Sequence, residues 1–304
     1  MPDWAPLRRA RIFITGGTGF IGTAMVEAFA DANRDHHLDA RIVVLTRRPD
    51  AFRAREPRLA ADPAVDLWGG DVRDFADPDG AFTHVIHGAA DPHVADDTET
   101  IARGTARVLD FARRNDARRM LFVSSGAVIT DSRSPYSEAK RAAEALCATS
   151  GMNVVVARVF AVIGPRIPLD GTFAAGNFIR NALAGRTIEI RGGGAEVRSY
   201  LYVEDCADWL WTTLIRGASG GAYNVGSDEA VTIEQLARLI AARVAPPVAV
   251  RVLGGPVTGV TSRYVPDIGS ARAALGVDVA TPLPAAIDRT LSWFRERPNL
   301  MPSA

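Results

Sequence analysis

The sequence predicts an α/β fold, a doubly wound parallel sheet with a smaller lobe formed by the C-terminal residues. Three observations lead there. Strand and helix signals alternate through the first half, and the strands are nearly unbroken runs of Val, Ile and Leu, the pattern of a parallel sheet covered on both faces. A glycine-rich turn separates the first strand from the first helix. After Gly164-Pro165 the rhythm changes, with more glycine and proline and shorter strands.

RIFIT at 11–15 is a short β-rich run, and FIGTAMVEAFADA at 20–32 has its apolar residues at helical spacing. ARIVVLT (40–46), AVDLW (64–68) and HVIHGAA (84–90) read as strands separated by Gly, Pro and Asp turn signals. A long amphipathic helix follows at 96–115, then the strand RRMLFVS (118–124), a helix starting near Tyr136, and the buried strand NVVVARVF (153–160). Beyond residue 165, helices around 173–184, 204–216 and 232–243 alternate with short strands at 187–191, 199–203 and 222–225. Thr232 followed by Gln235 is a capping-box signal for the last of these helices.

With 304 residues and 47% hydrophobic content, the chain can build one large domain or two small ones. Lys and Arg number 35, as do Asp and Glu, so there is no electrostatic case for nucleic acid or an anionic membrane surface. The two cysteines, Cys147 and Cys206, lie far apart and do not point to a disulfide scaffold or a zinc site. No apolar run reaches the roughly 18 residues of a membrane span, and MPDWAPLRRA lacks the apolar core of a signal peptide. A soluble, cytoplasmic protein is the expectation. His84 and His87 are an odd number apart and should face opposite sides of a strand. With Asp91 and His93 nearby they still do not make a metal site, and His93 is a candidate only for lining a pocket.

ITGGTGFIG (14–22) sets Gly16, Gly19, Phe20, Ile21 and Gly22 between the first strand and the first helix. Glycines there permit a tight turn and let backbone N–H groups approach a pyrophosphate at the helix N-terminus; the plainer reading is a sharp turn packed on the sheet. The spacing is GxxGxxG. We expect a Rossmann-like dinucleotide-binding domain over 1–164, with later segments able to return to the sheet, and a mainly substrate-binding lobe over 165–304. The second strand ends in VVLTRR. An acid at that end would accept bonds from the adenosine ribose and repel a 2′-phosphate. Here Thr46 is followed by Arg47 and Arg48, and a guanidinium suits a phosphate. NADP(H) is therefore favoured, with NAD(H) the alternative if both arginines are only solvated surface.

In SSGAVITDSRSPYSEAK (124–140), Tyr136 and Lys140 stand four apart at the start of a helix and share one face. A free phenol has a pKa near ~10. A nearby cation favours the phenolate and brings the group into the range of general acid–base work.

TGGTGFIG (15–22), GDVRD (70–74), HGAA (87–90), GTARVL (104–109), VSSGAV (123–128) and YSEAK (136–140) occur in that order. RVFAVIGP (158–165), GNFIRNALAG (176–185), RSYLYVEDCA (198–207), YNVG (223–226) and RYVPD (263–267) continue the series. Together they resemble the extended short-chain dehydrogenase/reductase family, nearest its nucleotide-sugar epimerases, dehydratases and reductases. The resemblance implies that Asp71 and Val72 border the adenine, that Ala89 and Ala90 lie along the cofactor, and that Phe160 borders the nicotinamide. It implies that Lys140 also bonds the nicotinamide ribose, and that Ser125, aligned by its distance before Val128, contacts the reacting oxygen together with Tyr136. Asn177, Arg198 and Arg263 match positions that contact a nucleotide diphosphate, with Arg191 a weaker candidate. A homodimer paired through the helices near 96–115 and 136–150 is implied as well.

The chemistry expected is hydride transfer between a nicotinamide and a carbon bearing oxygen. In the 4,6-dehydratases of the family an acidic pair follows the Ser/Thr; here Gly126 and Ala127 stand there, which disfavours loss of water. Where relatives often carry polar residues, this chain has Ile101, Ala161 and Ile163, which changes the contacts near the sugar or the catalytic helix. The first reading is NADPH-dependent reduction of a nucleotide-diphospho-4-keto sugar. The alternatives are an NAD-dependent 4-epimerase or dehydratase, a reductase of a non-sugar substrate, and a non-catalytic cofactor-sensing protein.

Overall fold

The computed structural model describes residues 2–90, 98–130, 133–169, 171, 173–255 and 261–301. Its strands are β1 (Arg11–Thr15), β2 (Arg41–Thr46), β3 (Val65–Gly69), β4 (His84–His87), β5 (Arg119–Ser125), β6 (Val154–Val159), β7 (Val162–Ile163), β8 (Ile188–Ile190), β9 (Val197–Arg198), β10 (Leu201–Tyr202), β11 (Ala222–Val225), β12 (Val231–Thr232), β13 (Val250–Val252) and β14 (Arg263–Tyr264). Its helices are α1 (Phe20–Asp35), α2 (Pro49–Arg55), α3 (Pro57–Ala60), α4 (Thr98–Arg114), α5 (Pro135–Thr149), α6 (Ala174–Leu183), α7 (Val203–Arg216), α8 (Ile233–Ala241), α9 (Gly269–Leu275) and α10 (Leu283–Arg295). The chain forms two units. One comprises Met1–Val159, Ala207–Val225 and Gly269–Val277; the other comprises Phe160–Cys206, Gly226–Ile268 and Asp278–Ala304.

The first unit holds a seven-stranded sheet in the order β11-β6-β5-β4-β1-β2-β3, every pairing parallel. The order runs outward in both directions from β1 and β4, so the sheet is doubly wound and its switch point lies between those two strands. The strands are apolar on both faces because helices cover both. On one face Phe13, Phe82, Phe111 and Phe122 are buried with Val108 of α4 and Ala143 and Cys147 of α5. The Phe13 ring lies 4.5 Å from that of Phe111. On the other, Trp211 of α7 stacks 5.8 Å from Phe29 of α1, and its indole N–H donates to the Met25 carbonyl at 3.0 Å. A buried indole needs such an acceptor.

Differences from the sequence reading have local causes. The strand expected at 84–90 ends at His87, because the Ala89 amide leaves the ladder to donate to the Thr15 hydroxyl. Only Leu201 and Tyr202 pair within 199–203, and Val203 already begins α7. Residues 222–225, expected among the short strands of the C-terminal region, join the large sheet as β11 beside β6, with Asn224 in register with Arg158. α2, α3 and α10 were not anticipated; each carries Pro in its first positions, a start signal that needs no periodicity.

In the second unit β7 pairs with β10, β9 lies between β12 and β14, and β8 pairs with β13. The Asp205 carboxylate accepts from the amides of Ala280 (3.1 Å) and Thr281 (2.7 Å) and from the Thr281 hydroxyl (3.1 Å), fixing the approach to α10. The capping box of α8 is present. Thr232 Oγ1 accepts from the Gln235 amide at 3.0 Å, and the Gln235 side chain accepts from the Thr232 amide at 2.7 Å. Thr232→Ala is expected to cost about 0.5–2 kcal/mol, read as a lowered midpoint of urea unfolding. Among the described residues no helix is long and apolar enough to cross a membrane.

Candidate active site

The loop after β1 is built so tightly that a side chain on Gly16 or Gly22 would run into backbone, and one on Gly17 would press on Val44 at 2.8 Å. Gly16 has φ +77°, and a Cβ there would lie 2.5 Å from the Gly88 carbonyl carbon. A Cβ on Gly22 would lie 2.1 Å from the Gly16 oxygen. Gly19 is different, since a Cβ there would meet only the Gly16 oxygen, at 3.4 Å. Packing within the protein does not require a glycine at that position, whereas a group approaching the backbone would. Gly19 is also the N-cap of α1 and supplies no side-chain acceptor. The first α1 amides, at Phe20, Ile21 and Gly22, thus stand at a helix N-terminus suited to an anion. A cradle with an open glycine at a helix start, at the switch point of a doubly wound sheet, fits a dinucleotide.

At the neighbouring strand ends, the Gly70 amide donates to the Thr46 carbonyl at 3.1 Å and so joins the ends of β2 and β3. Thr46 is buried, and its hydroxyl accepts from the Arg48 amide at 3.3 Å; Arg47 and Arg48 are exposed beyond it. Asp71 accepts from Nε and Nη2 of Arg73, at 2.8 and 3.0 Å. Those bonds hold its carboxyl below the usual carboxylate range, and Arg47 adds to the effect. Arg55 of α2 reaches back to donate to the Thr18 carbonyl of the glycine loop at 2.5 Å. Neither Arg55 nor Arg73 was singled out from sequence; nothing local marks Arg55, whose acceptor is far along the chain.

Tyr136 follows Pro135 in the first turn of α5, whose N-cap Ser134 accepts from the Ser137 amide at 3.2 Å. Half-buried, it packs against the same apolar cluster as Ala89 and Ala90, while Val72 lies within that cluster. One turn on, Lys140 is buried to 3% exposure; its ammonium donates to the Val123 carbonyl at 3.0 Å and lies 5.0 Å over the Phe122 ring. Ser125 caps the short turn Gly126–Val128 by accepting from the Ala127 amide at 3.2 Å, which leaves its O–H proton to donate. The fold thus gathers a phenol, a buried cation and a hydroxyl donor around the end of β5.

The candidates in the second unit sit on separate elements. Arg198 on β9 and Arg263 on β14 occupy neighbouring parallel strands, Arg263 in register with Val197 and Tyr264 with Arg198. One arm of Arg198 already donates to the carbonyls of Val197 (2.8 Å) and Ser262 (3.1 Å). Asn177, in α6, donates to the Gly171 carbonyl at 3.0 Å, and its Oδ1 is buried without a hydrogen-bond partner among the described residues. Phe160 packs on Tyr264 with ring centroids 4.7 Å apart. Arg191 is exposed, and His93 and Asp91 lie outside the described residues. His84 and His87 are both held neutral mainly by burial, with pKa values pushed down to about 4 and about 3. Among the described residues no three His, Cys, Asp or Glu side chains gather as metal ligands would.

The chain is 27% identical to UDP-glucuronic acid decarboxylase 1 of Xenopus tropicalis over 95% of its own length and 73% of the relative's. It is 28% identical to dTDP-glucose 4,6-dehydratase of an Actinoplanes species, over 94% of this chain and 98% of the other. In fold it is similar to the Bordetella bronchiseptica enzyme WbmF, solved in complex with NADH, with TM-score 0.83, 21% identity, and coverage of 98% of this chain and 95% of that one. Residues 12–226, which hold the glycine loop, Ser125, Tyr136 and Lys140, match one family along their whole length, and the chain belongs to the NAD dependent epimerase/dehydratase family.

Proposed function

We propose that the chain is an oxidoreductase acting on a nucleotide-diphospho-sugar, and that it reduces a 4-keto sugar using NADPH. The observation that carries the chemistry is the set at the end of β5: the Ser125 hydroxyl, the Tyr136 phenol in the first turn of α5, and the buried Lys140 ammonium. A bound nicotinamide dinucleotide supplies the hydride. Tyr136 gives its proton to the oxygen being reduced, and Ser125 donates a hydrogen bond to that oxygen. The negative charge left on the phenol is favoured by the Lys140 ammonium and by the N-terminus of α5. Gly16, Gly19, Gly22 and the first amides of α1 would hold the pyrophosphate, with Asp71, Val72, Ala89, Ala90 and Phe160 along the rest of the cofactor. Asn177, Arg198 and Arg263 would hold the substrate diphosphate, and the UDP- and dTDP-sugar enzymes among the relatives support that substrate class. Gly126 and Ala127 offer no acid or base for elimination, which argues against a dehydratase.

Thr46, Arg47 and Arg48 support NADPH, since no acid closes β2 and two exposed guanidinium groups follow it. Arg47→Ala with Arg48→Ala is expected to weaken NADP binding by about 10-fold or more, the worth of a charge-assisted hydrogen bond, while NAD binding measured by titration stays unchanged. A second reading, a 4-epimerase that keeps NAD through the cycle, is favoured by the family's NAD dependence and by the NADH held in WbmF. The deciding experiment releases whatever dinucleotide co-purifies with the native protein and identifies it by mass spectrometry. An empty site or NADP supports the reductase; stoichiometric, tightly held NAD overturns it in favour of the epimerase.

A further inference from the structure

We propose that His87 is a positioning residue of the dinucleotide site: through Thr15 it holds the Ala89 amide and the end of β1 in place, and through Thr105 it anchors both to α4. The role is tied to that site by the reading above, but the geometry stands by itself. His87 is the last residue of β4 and is wholly buried at 1% exposure. Its Nδ1 lies 2.7 Å from Thr15 Oγ1, and its Nε2 lies 3.1 Å from Thr105 Oγ1.

The neighbouring bonds decide which nitrogen carries the proton. Thr105 Oγ1 donates its hydrogen to the Ile101 carbonyl at 2.6 Å, so it can only accept from the imidazole. Nε2 therefore bears the hydrogen and Nδ1 is an acceptor. Thr15 then donates to Nδ1, and its remaining acceptor capacity takes the Ala89 amide at 3.2 Å. One directed chain results, running from the Ala89 amide through Thr15, His87 and Thr105 to Ile101, and each proton in it has an acceptor. The opposite tautomer would leave the Thr15 hydroxyl hydrogen without one along this chain. A doubly protonated ring would do the same and would set a second cation near Lys140; burial first, and then Lys140, hold the ring neutral.

The chain matters to the site because of what adjoins its ends. Thr15 immediately precedes Gly16, and a Cβ on Gly16 would already touch the Gly88 backbone. The Gly88 amide also donates to the Thr15 carbonyl at 3.0 Å. The glycine loop after β1 and the Gly88-Ala89-Ala90 turn after β4 are thus held against each other, and His87 is the one side chain bonded to both the end of β1 and α4 among the described residues. A loosened turn would present the Ala89 backbone to a bound dinucleotide in several positions instead of one.

The test compares Thr15→Val, His87→Phe and His87→Gln with the wild-type protein. Hydrogen exchange at the Ala89 amide is followed without dinucleotide, and the dissociation constants of NADP and NAD are measured by titration at a temperature where circular dichroism shows each variant folded. Thr15→Val and His87→Phe are expected to speed Ala89 exchange and weaken dinucleotide binding, each by roughly 10-fold, the loss of one buried hydrogen bond. His87→Gln, which keeps one acceptor and one donor, is expected to recover part of both. Wild-type protection and wild-type affinity in folded Thr15→Val and His87→Phe overturn the proposal, as does lowered thermal stability with affinity unchanged. If His87→Phe fails to fold, the near-isosteric Thr15→Val carries the test. Should the wild-type protein bind neither dinucleotide, the functional reading fails, while Ala89 exchange still judges the role of His87.

Discussion

Tyr136→Phe is expected to lower turnover by roughly 10²–10⁴-fold, the usual worth of a positioned general acid, while dinucleotide affinity stays within about twofold. The phenol oxygen is the only atom removed. The ring would keep its packing against the apolar cluster that Ala89 and Ala90 also touch, and the Ser134 cap of α5 is left in place. Lys140 keeps its bond to the Val123 carbonyl, and Ser125 keeps the Ala127 amide. What is lost is the proton for the oxygen under reduction. Single-turnover measurements with bound dinucleotide separate this from a binding defect. Undiminished turnover would remove Tyr136 from the mechanism, and an inert wild-type protein that still bound dinucleotide would point to the non-catalytic, cofactor-sensing alternative.

The second large effect belongs to the glycine loop, where two substitutions of equal size should part company. Gly22→Ala sets a methyl carbon 2.1 Å from the Gly16 oxygen, inside the loop's own backbone. Overpacking of this kind costs about 1–3 kcal/mol, and relief requires the turn to open. We expect a lowered melting temperature together with loss of measurable dinucleotide binding. Gly19→Ala meets only one atom, at 3.4 Å, and its φ of −79° suits any residue. Its melting temperature should match the wild type, and its dinucleotide affinity should still fall, because the methyl group occupies space left for the ligand. If Gly19→Ala binds dinucleotide as well as the wild type, the open side of the cradle is not where the pyrophosphate lies.

The parts of the fold legible in the sequence are those whose causes are local. The glycine loop could be read because its spacing sits between one strand and one helix, and Tyr136 and Lys140 because four residues make one helical turn. The capping box at Thr232 and Gln235 was legible for the same reason. Features that depend on distant partners were not. AYNV at 222–225 reads as a strand, but nothing in four residues says that its neighbour is β6. The helices α2 and α3 were missed because they span only seven and four residues, too short for periodicity to register. His87 was weighed only as a metal ligand; its actual partners lie 72 and 18 residues away, and no spacing rule links them. Arg198 was expected to be open for a diphosphate, and one of its arms is spent on backbone carbonyls, one of them from Ser262.

The order in which the two units are written along the chain bears on how the protein is made. A nascent chain ending at Val159 has six strands of the sheet but lacks β11, so β6 stands as an outer strand with bare backbone donors and acceptors. The ribosome must first deliver Phe160–Cys206, which belong to the other unit, before Ala222–Val225 can cover that edge. Exposed apolar edges of this kind recruit other strands, and VVV at 154–156 is well suited to it. Neither unit can therefore be completed as its first segment emerges: one waits for Gly269–Val277 and the other for Asp278–Ala304.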